Sequence, residues 1–197
     1  MISLSNVKTS QGEIKSIASY PNGISIITEL VGTAEDIARY DILAVIGDKG
    51  SLVVDPFWMP EDPFPTDVYQ TRVRWVWSRT AEQIIITESV GQHIINEANA
   101  LNQEFNCHIK IFGTEAWKKL ARLSIAIAGY LVSTDDSYEN IIVTKEHVDY
   151  AVQIYRELYD NTVFRLREYV ANERKYNVID DEGVALLQQT YIKCPAL

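Results

Sequence analysis

The sequence predicts a mostly α fold with a small parallel-sheet remnant: a short α/β part followed by a helical bundle. Three observations lead there. Residues 42–46 (Ile-Leu-Ala-Val-Ile) form a continuous apolar run of strand type, as expected where a sheet is covered on both faces. From Asp67 onward the apolar residues recur at helical spacing, with threonines placed to cap at positions 87, 114 and 144. Between the two parts, residues 53–66 hold four of the six prolines together with Phe57, Trp58 and Phe64, which reads as a linker that packs.

In chain order, residues 2–6 read as strand-like alternation, and residues 8–23 as a polar excursion with a Pro21-Asn22-Gly23 turn signal. Residues 24–31 suit either a strand, by β-branched content, or a short helix ending at Gly32, and periodicity does not separate the two. Residues 33–46 then place one arginine, Arg39, and the acids Glu35, Asp36 and Asp41 directly ahead of the apolar run. A helix over about 68–78, capped by Asp67, carries Val73, Val76 and Trp77 on its apolar side, thickened by Trp75. After a short Ile84-Ile85-Ile86, Thr87 caps a helix to about Phe105 with Val90, Ile94, Ala98 and Leu101 in one stripe. Thr114 opens a third helix, apolar nearly all round over 120–132, and therefore expected at the centre of the bundle. Ile141-Ile142-Val143 approaches Thr144, which caps a fourth helix with Val148, Ala151, Val152, Tyr155, Leu158 and Tyr159 on one face. A fifth helical stretch is expected over about 163–174 and a sixth from Asp180. The abrupt start and the uncapped end read as a fragment or a decayed gene.

Composition narrows the function classes. The 197 residues, 47% of them hydrophobic, suffice for a core. A net charge of −9 argues against a broad nucleic-acid-binding surface, which needs clustered Lys and Arg. Cys107 and Cys194 lack metal-ligand or disulfide spacing, and a reducing cytoplasmic setting fits them. The longest apolar runs are too short for a membrane span. His93, His108 and His147 are scattered and read as ordinary histidines, so no metal site is expected. Trp75, Trp77 and Trp117 read as core anchors and not as base-stacking platforms.

Four segments carry a resemblance by their order and spacing: Leu4-Ser5-Asn6; Ala34-Glu35-Asp36-Ile37-Ala38-Arg39-Tyr40-Asp41; Trp117-Lys118-Lys119-Leu120-Ala121-Arg122-Leu123-Ser124-Ile125-Ala126; and Val143-Thr144-Lys145-Glu146-His147-Val148. Together they resemble the C-terminal part of the AAA+ motor of minichromosome maintenance (MCM)-like DNA helicases, of the bacterial or mobile-element kind. The resemblance implies a partial AAA+ α/β core over 1–55, a Pro-rich linker over 56–66, a helical lid over 67–160, and the start of a helical or winged-helix tail over 161–197. It implies that Arg39 is an arginine finger acting on the nucleotide of the next subunit in a hexameric ring, that Asn6 is the sensor 1 residue, and that Lys118, Lys119 and Arg122 supply lid charge near the sensor 2 position, where the family's arginine is replaced by an acid near Glu115. Read on their own, Arg39 is a surface residue with a carboxylate neighbour, Asn6 a turn-capping asparagine, and the three lid cations a solvated basic patch.

The resemblance also implies ATP and Mg²⁺ in the intact protein and DNA contacts through the missing parts. No Gly-x-x-x-x-Gly-Lys-Ser/Thr occurs in the chain, so the phosphate cradle is not encoded here. The chain alone is therefore expected to be inactive. A non-catalytic helical protein that binds a ring ATPase, or a plain helical interaction module, is the alternative reading.

Overall fold

The structure, a computed structural model, describes residues 5–8, 11–46 and 64–177, with side chains to residue 173. It is mostly helical, with one two-stranded parallel sheet. In order the elements are α1 (Gly23–Val31), α2 (Ala34–Ala38), α3 (Thr66–Trp77), β1 (Ile84–Ile86), α4 (Glu88–Glu104), α5 (Ala116–Tyr130), β2 (Ile141–Val143), α6 (Lys145–Tyr159) and α7 (Leu166–Asn177). Of the strand expected over residues 2–6, residues 2–4 lie outside the described residues, as do most of the Pro-rich linker and the sixth helix from Asp180, while residues 5 and 6 form no strand.

Two short repeats of one local plan organise the bundle. Each strand runs into a threonine that caps the next helix: Thr87 Oγ1 accepts from the Val90 amide ahead of α4, and Thr144 forms a capping box with His147 ahead of α6. β1 pairs with β2 in parallel, Ile84 opposite Ile141 and Ile86 opposite Val143, so the two capped helices start side by side. Helix α5 is the central helix expected from its sequence. It packs against α3, α4, α6 and β2, burying Leu120, Ser124, Ile127, Ala128 and Gly129. Gly129 permits the close approach of α3, because a Cβ there would meet the Val76 methyls at 3.0 and 3.2 Å.

At the base of the bundle an aromatic cluster fills the space between α4, α6 and the loops. Phe112 lies edge-on to Tyr155 and Tyr159, with ring centroids 5.1 and 5.6 Å away, and Tyr159 meets Phe105 and Phe164 at 6.0 and 5.1 Å. Phe164 and Leu166 are fully buried in the same core that takes up Ile24, Ile27 and Ile37. The N-terminal segment and α7 thus close on one hydrophobic centre.

Residues 42–46 correct the sequence expectation. They form no strand, although Leu43 and Val45 are buried while Ile42 and Ile46 are exposed. Their alternation is that of a strand, but the Leu43 amide here is taken up by the Tyr159 hydroxyl of α6 instead of by a neighbouring ladder. The small parallel sheet lies instead at 84–86 and 141–143. Residues 24–31 resolve as helix, because Asn22 caps the first turn through the Ser25 amide at 3.0 Å and outweighs the β-branched content. A second correction concerns α3, where Trp77 is 83% exposed and Val73 is exposed too. The helix docks through Trp75 and Val76, and that rotation turns Trp77 outward. Trp117 is likewise exposed, so of the three tryptophans read as core anchors only Trp75 packs against the core.

Gly23 sits where its amide donates to the Phe164 carbonyl at 2.8 Å, and a Cβ there would lie 2.8 Å from the Phe164 ring and 2.9 Å from its backbone Cα. Gly23→Ala is expected to lower stability by about 1–3 kcal/mol through this overpacking. Urea unfolding measures it, and an unchanged midpoint would contradict the close α1–Phe164 contact.

Candidate functional site

The stretch 33–46 begins with a capped turn of helix. The Thr33 hydroxyl accepts from the Asp36 amide at 3.2 Å, which fixes α2 and leaves Arg39 as the residue just after its end. Ile37, on the inner face, is fully buried and anchors the turn. The Arg39 side chain is 79% exposed and rests against Asp36 with Nη1 to Oδ1 at 3.2 Å. An exposed pair of this kind contributes little to stability, so its main effect is to bias the rotamer.

The chain after Arg39 is seated on the bundle by four interactions. Lys119 of α5 donates from Nζ to the carbonyl of Tyr40 at 2.7 Å and to that of Ile111 at 2.6 Å. Arg122, one turn on, pairs with Asp41 at 2.6 Å. From α6, the Tyr155 hydroxyl donates to the Asp41 carbonyl at 3.1 Å, and the Tyr159 hydroxyl accepts from the Leu43 amide at 3.3 Å. Three polar groups of one irregular segment, two carbonyls and one amide, are thereby satisfied without a partner strand.

Burial pushes the Lys119 ammonium down from the usual lysine value to about 8, against the opposing pull of Asp41 and Glu115. The Tyr155 and Tyr159 hydroxyls are pushed up by burial and stay neutral. Glu115 is held below its ordinary range by its bond from Lys118.

The five residues that the sequence puts forward are therefore placed as follows. Arg39 is solvent-facing on the loop. Arg122 is joined to that loop through Asp41. Lys118 is half-buried and paired with Glu115. Lys119 is 3% exposed, with its ammonium turned to two backbone carbonyls. Asn6 is exposed, and among the described residues no hydrogen bond or ion pair joins it to the other four. Sequence reasoning missed Tyr155 and Tyr159 as polar groups. Their signal was present, since two tyrosines at core positions four apart carry hydroxyls that need partners when buried.

His147 is a cap residue, and His93 and His108 pair with Asp149 and Glu173, each at 2.6 Å. Among the described residues no group of His, Cys, Asp and Glu is arranged to hold a metal ion, and no helix is long and apolar enough to cross a membrane. No protein-family model, curated protein or solved structure matches the chain.

Tyr159→Phe leaves the Leu43 amide without its acceptor in a buried setting. It is expected to lower stability by about 1–2 kcal/mol in urea unfolding. Wild-type stability in this variant would mean that the amide does not depend on Tyr159.

Proposed function

We propose that the chain supplies an arginine finger, Arg39, to a nucleotide held by another subunit of a ring ATPase, and that the helical bundle is the lid on which the finger loop rests. The observation that carries this reading is the contrast between an exposed guanidinium and the firmly seated backbone directly behind it. A catalytic arginine must meet charge developing on a transferred phosphoryl without reorganising first, and a fixed loop with a solvent-facing tip meets that requirement.

The MCM-like resemblance of residues 34–41, 117–126 and 143–148 gives the reading its class: the C-terminal part of a DNA helicase motor, acting as one subunit of a hexamer in replication. In it Asn6 orients the attacking water, and Lys118 and Arg122 add positive charge on the lid. Lys119 belongs to the same basic segment but bears on the loop instead. Of these residues, the exposed Arg39 suits a γ-phosphate approached from outside. They do not provide for ATP·Mg²⁺ on this chain, since the sequence has no phosphate-binding loop and the described residues have no acidic cluster for the ion. Both belong, in this reading, to the rest of the motor.

Alone, the purified chain is expected to show no ATP turnover above background, and hydrolysis that survives further purification would overturn the half-site. In an assembly with the phosphate-binding part, Arg39→Ala is expected to reduce turnover by about 10³-fold or more while nucleotide binding persists. Unchanged turnover would remove Arg39 from catalysis and favour a non-catalytic helical protein that only binds the ring.

A further inference from the structure

We propose that Lys119 is the positioning residue of the Arg39 loop, its two bonds to the Tyr40 and Ile111 carbonyls seating that loop on α5 so that loop and bundle move as one unit. What the loop delivers rests on the reading above. The seating itself does not.

The geometry is specific. Tyr40 and Ile111 are far apart in sequence, and the loop after Arg39 and the turn ahead of α5 meet at one ammonium that is 3% exposed. Tyr40 directly follows Arg39, so the Lys119 bond acts one peptide unit from the finger. No other described lysine is as buried.

An amine in this place acts in two opposed ways. Its N–H groups satisfy two carbonyls that would otherwise lack donors, which holds the loop down. Its positive charge is poorly solvated, which favours lifting the loop to let water in. The groups facing it are Asp41 from the loop, Glu115 from the turn ahead of α5, Arg122 from α5, and Tyr155 and Tyr159 from α6 around the same loop segment. Asp41 and Glu115 favour the charged form and Arg122 opposes it. Of the groups named, Lys119 is the one whose burial brings it to about 8, so the pH response between 7 and 9 is assigned to it.

The sign follows from linkage. With the loop seated, the amine titrates near 8; with the loop lifted, it returns toward the ordinary 10.5. Between these values the lifted form binds more protons, so raising the pH favours the seated form. The neutral amine, which keeps its donors and loses its charge, is the tightest state. Acidification toward neutrality loosens the seat.

Amide hydrogen exchange on the full chain tests this without any ATPase. The Leu43 amide, bonded to Tyr159, and the Arg39 and Tyr40 amides are the reporters. In the wild type their protection, corrected for intrinsic exchange, is expected to rise roughly tenfold from pH 7 to pH 9. In Lys119→Met, which keeps the length and removes the donors, they should exchange roughly tenfold faster at pH 9, lose the pH response, and leave α4 and α6 unchanged. Flat wild-type protection across this range would overturn the proposal. So would a Lys119→Met variant whose loop amides exchange no faster, or whose α4 and α6 amides quicken equally. If that variant does not fold, the wild-type profile decides alone. Should the loop respond as expected while Arg39→Ala leaves an assembled ring unaffected, the seat stands and the finger reading falls.

Discussion

The chain after Arg39 is seated on the bundle around one buried ammonium, that of Lys119. Residues 11–46 hold two short α-helices and one 3-10 turn, and the buried anchors Ile37, Leu43 and Val45 have no sheet to lie on. What makes an irregular segment tolerable there is that its backbone groups find partners in helix side chains: Lys119 for Tyr40, Tyr155 for Asp41, Tyr159 for Leu43. Removing water from a charged lysine is costly, and two carbonyl acceptors offset that cost only while the loop stays in place. The burial of the lysine and the order of the loop are therefore one constraint.

The same constraint shapes what Arg39 can do. A guanidinium on a mobile loop would have to be ordered at each encounter with a phosphoryl group, and that ordering would be charged against the rate. Here the turn of α2 is capped by Thr33, its Ile37 is buried, and the chain beyond is seated one residue after the arginine. Only the side chain remains free, lightly biased by Asp36. In the proposed ring, movement of the bundle in one subunit would carry the arginine directly to or from the nucleotide of the next.

Local signals in the sequence located the helices well. Thr87 and Thr144 cap the helices that they precede, the stripe Val90, Ile94, Ala98 and Leu101 is buried, and α5 lies at the centre. Each of these rests on neighbours within a few turns. The misplaced features depend on distant partners. Residues 42–46 have the composition of a central strand, yet the Leu43 amide bonds a tyrosine over a hundred positions away, and a second such tyrosine takes the Asp41 carbonyl just ahead of the stretch. Trp77 sits in a helical stripe, but the docking of Val76 against Gly129 decides which side of α3 faces in. Lys118 and Lys119 are adjacent and alike in sequence, and one is buried and the other half-exposed because only the second falls over two free carbonyls. Of the site, Arg39 and its acidic neighbours were legible; the seat beneath it was not.

Whether loop and bundle are one body is measurable as a distance. Spin labels at positions 35 and 153, exposed on α2 and α6, would be placed in a background lacking Cys194 and read by pulsed electron resonance. A single narrow distance distribution is the result expected if the loop is held on the bundle. A broad or two-peaked distribution in the folded protein would contradict it.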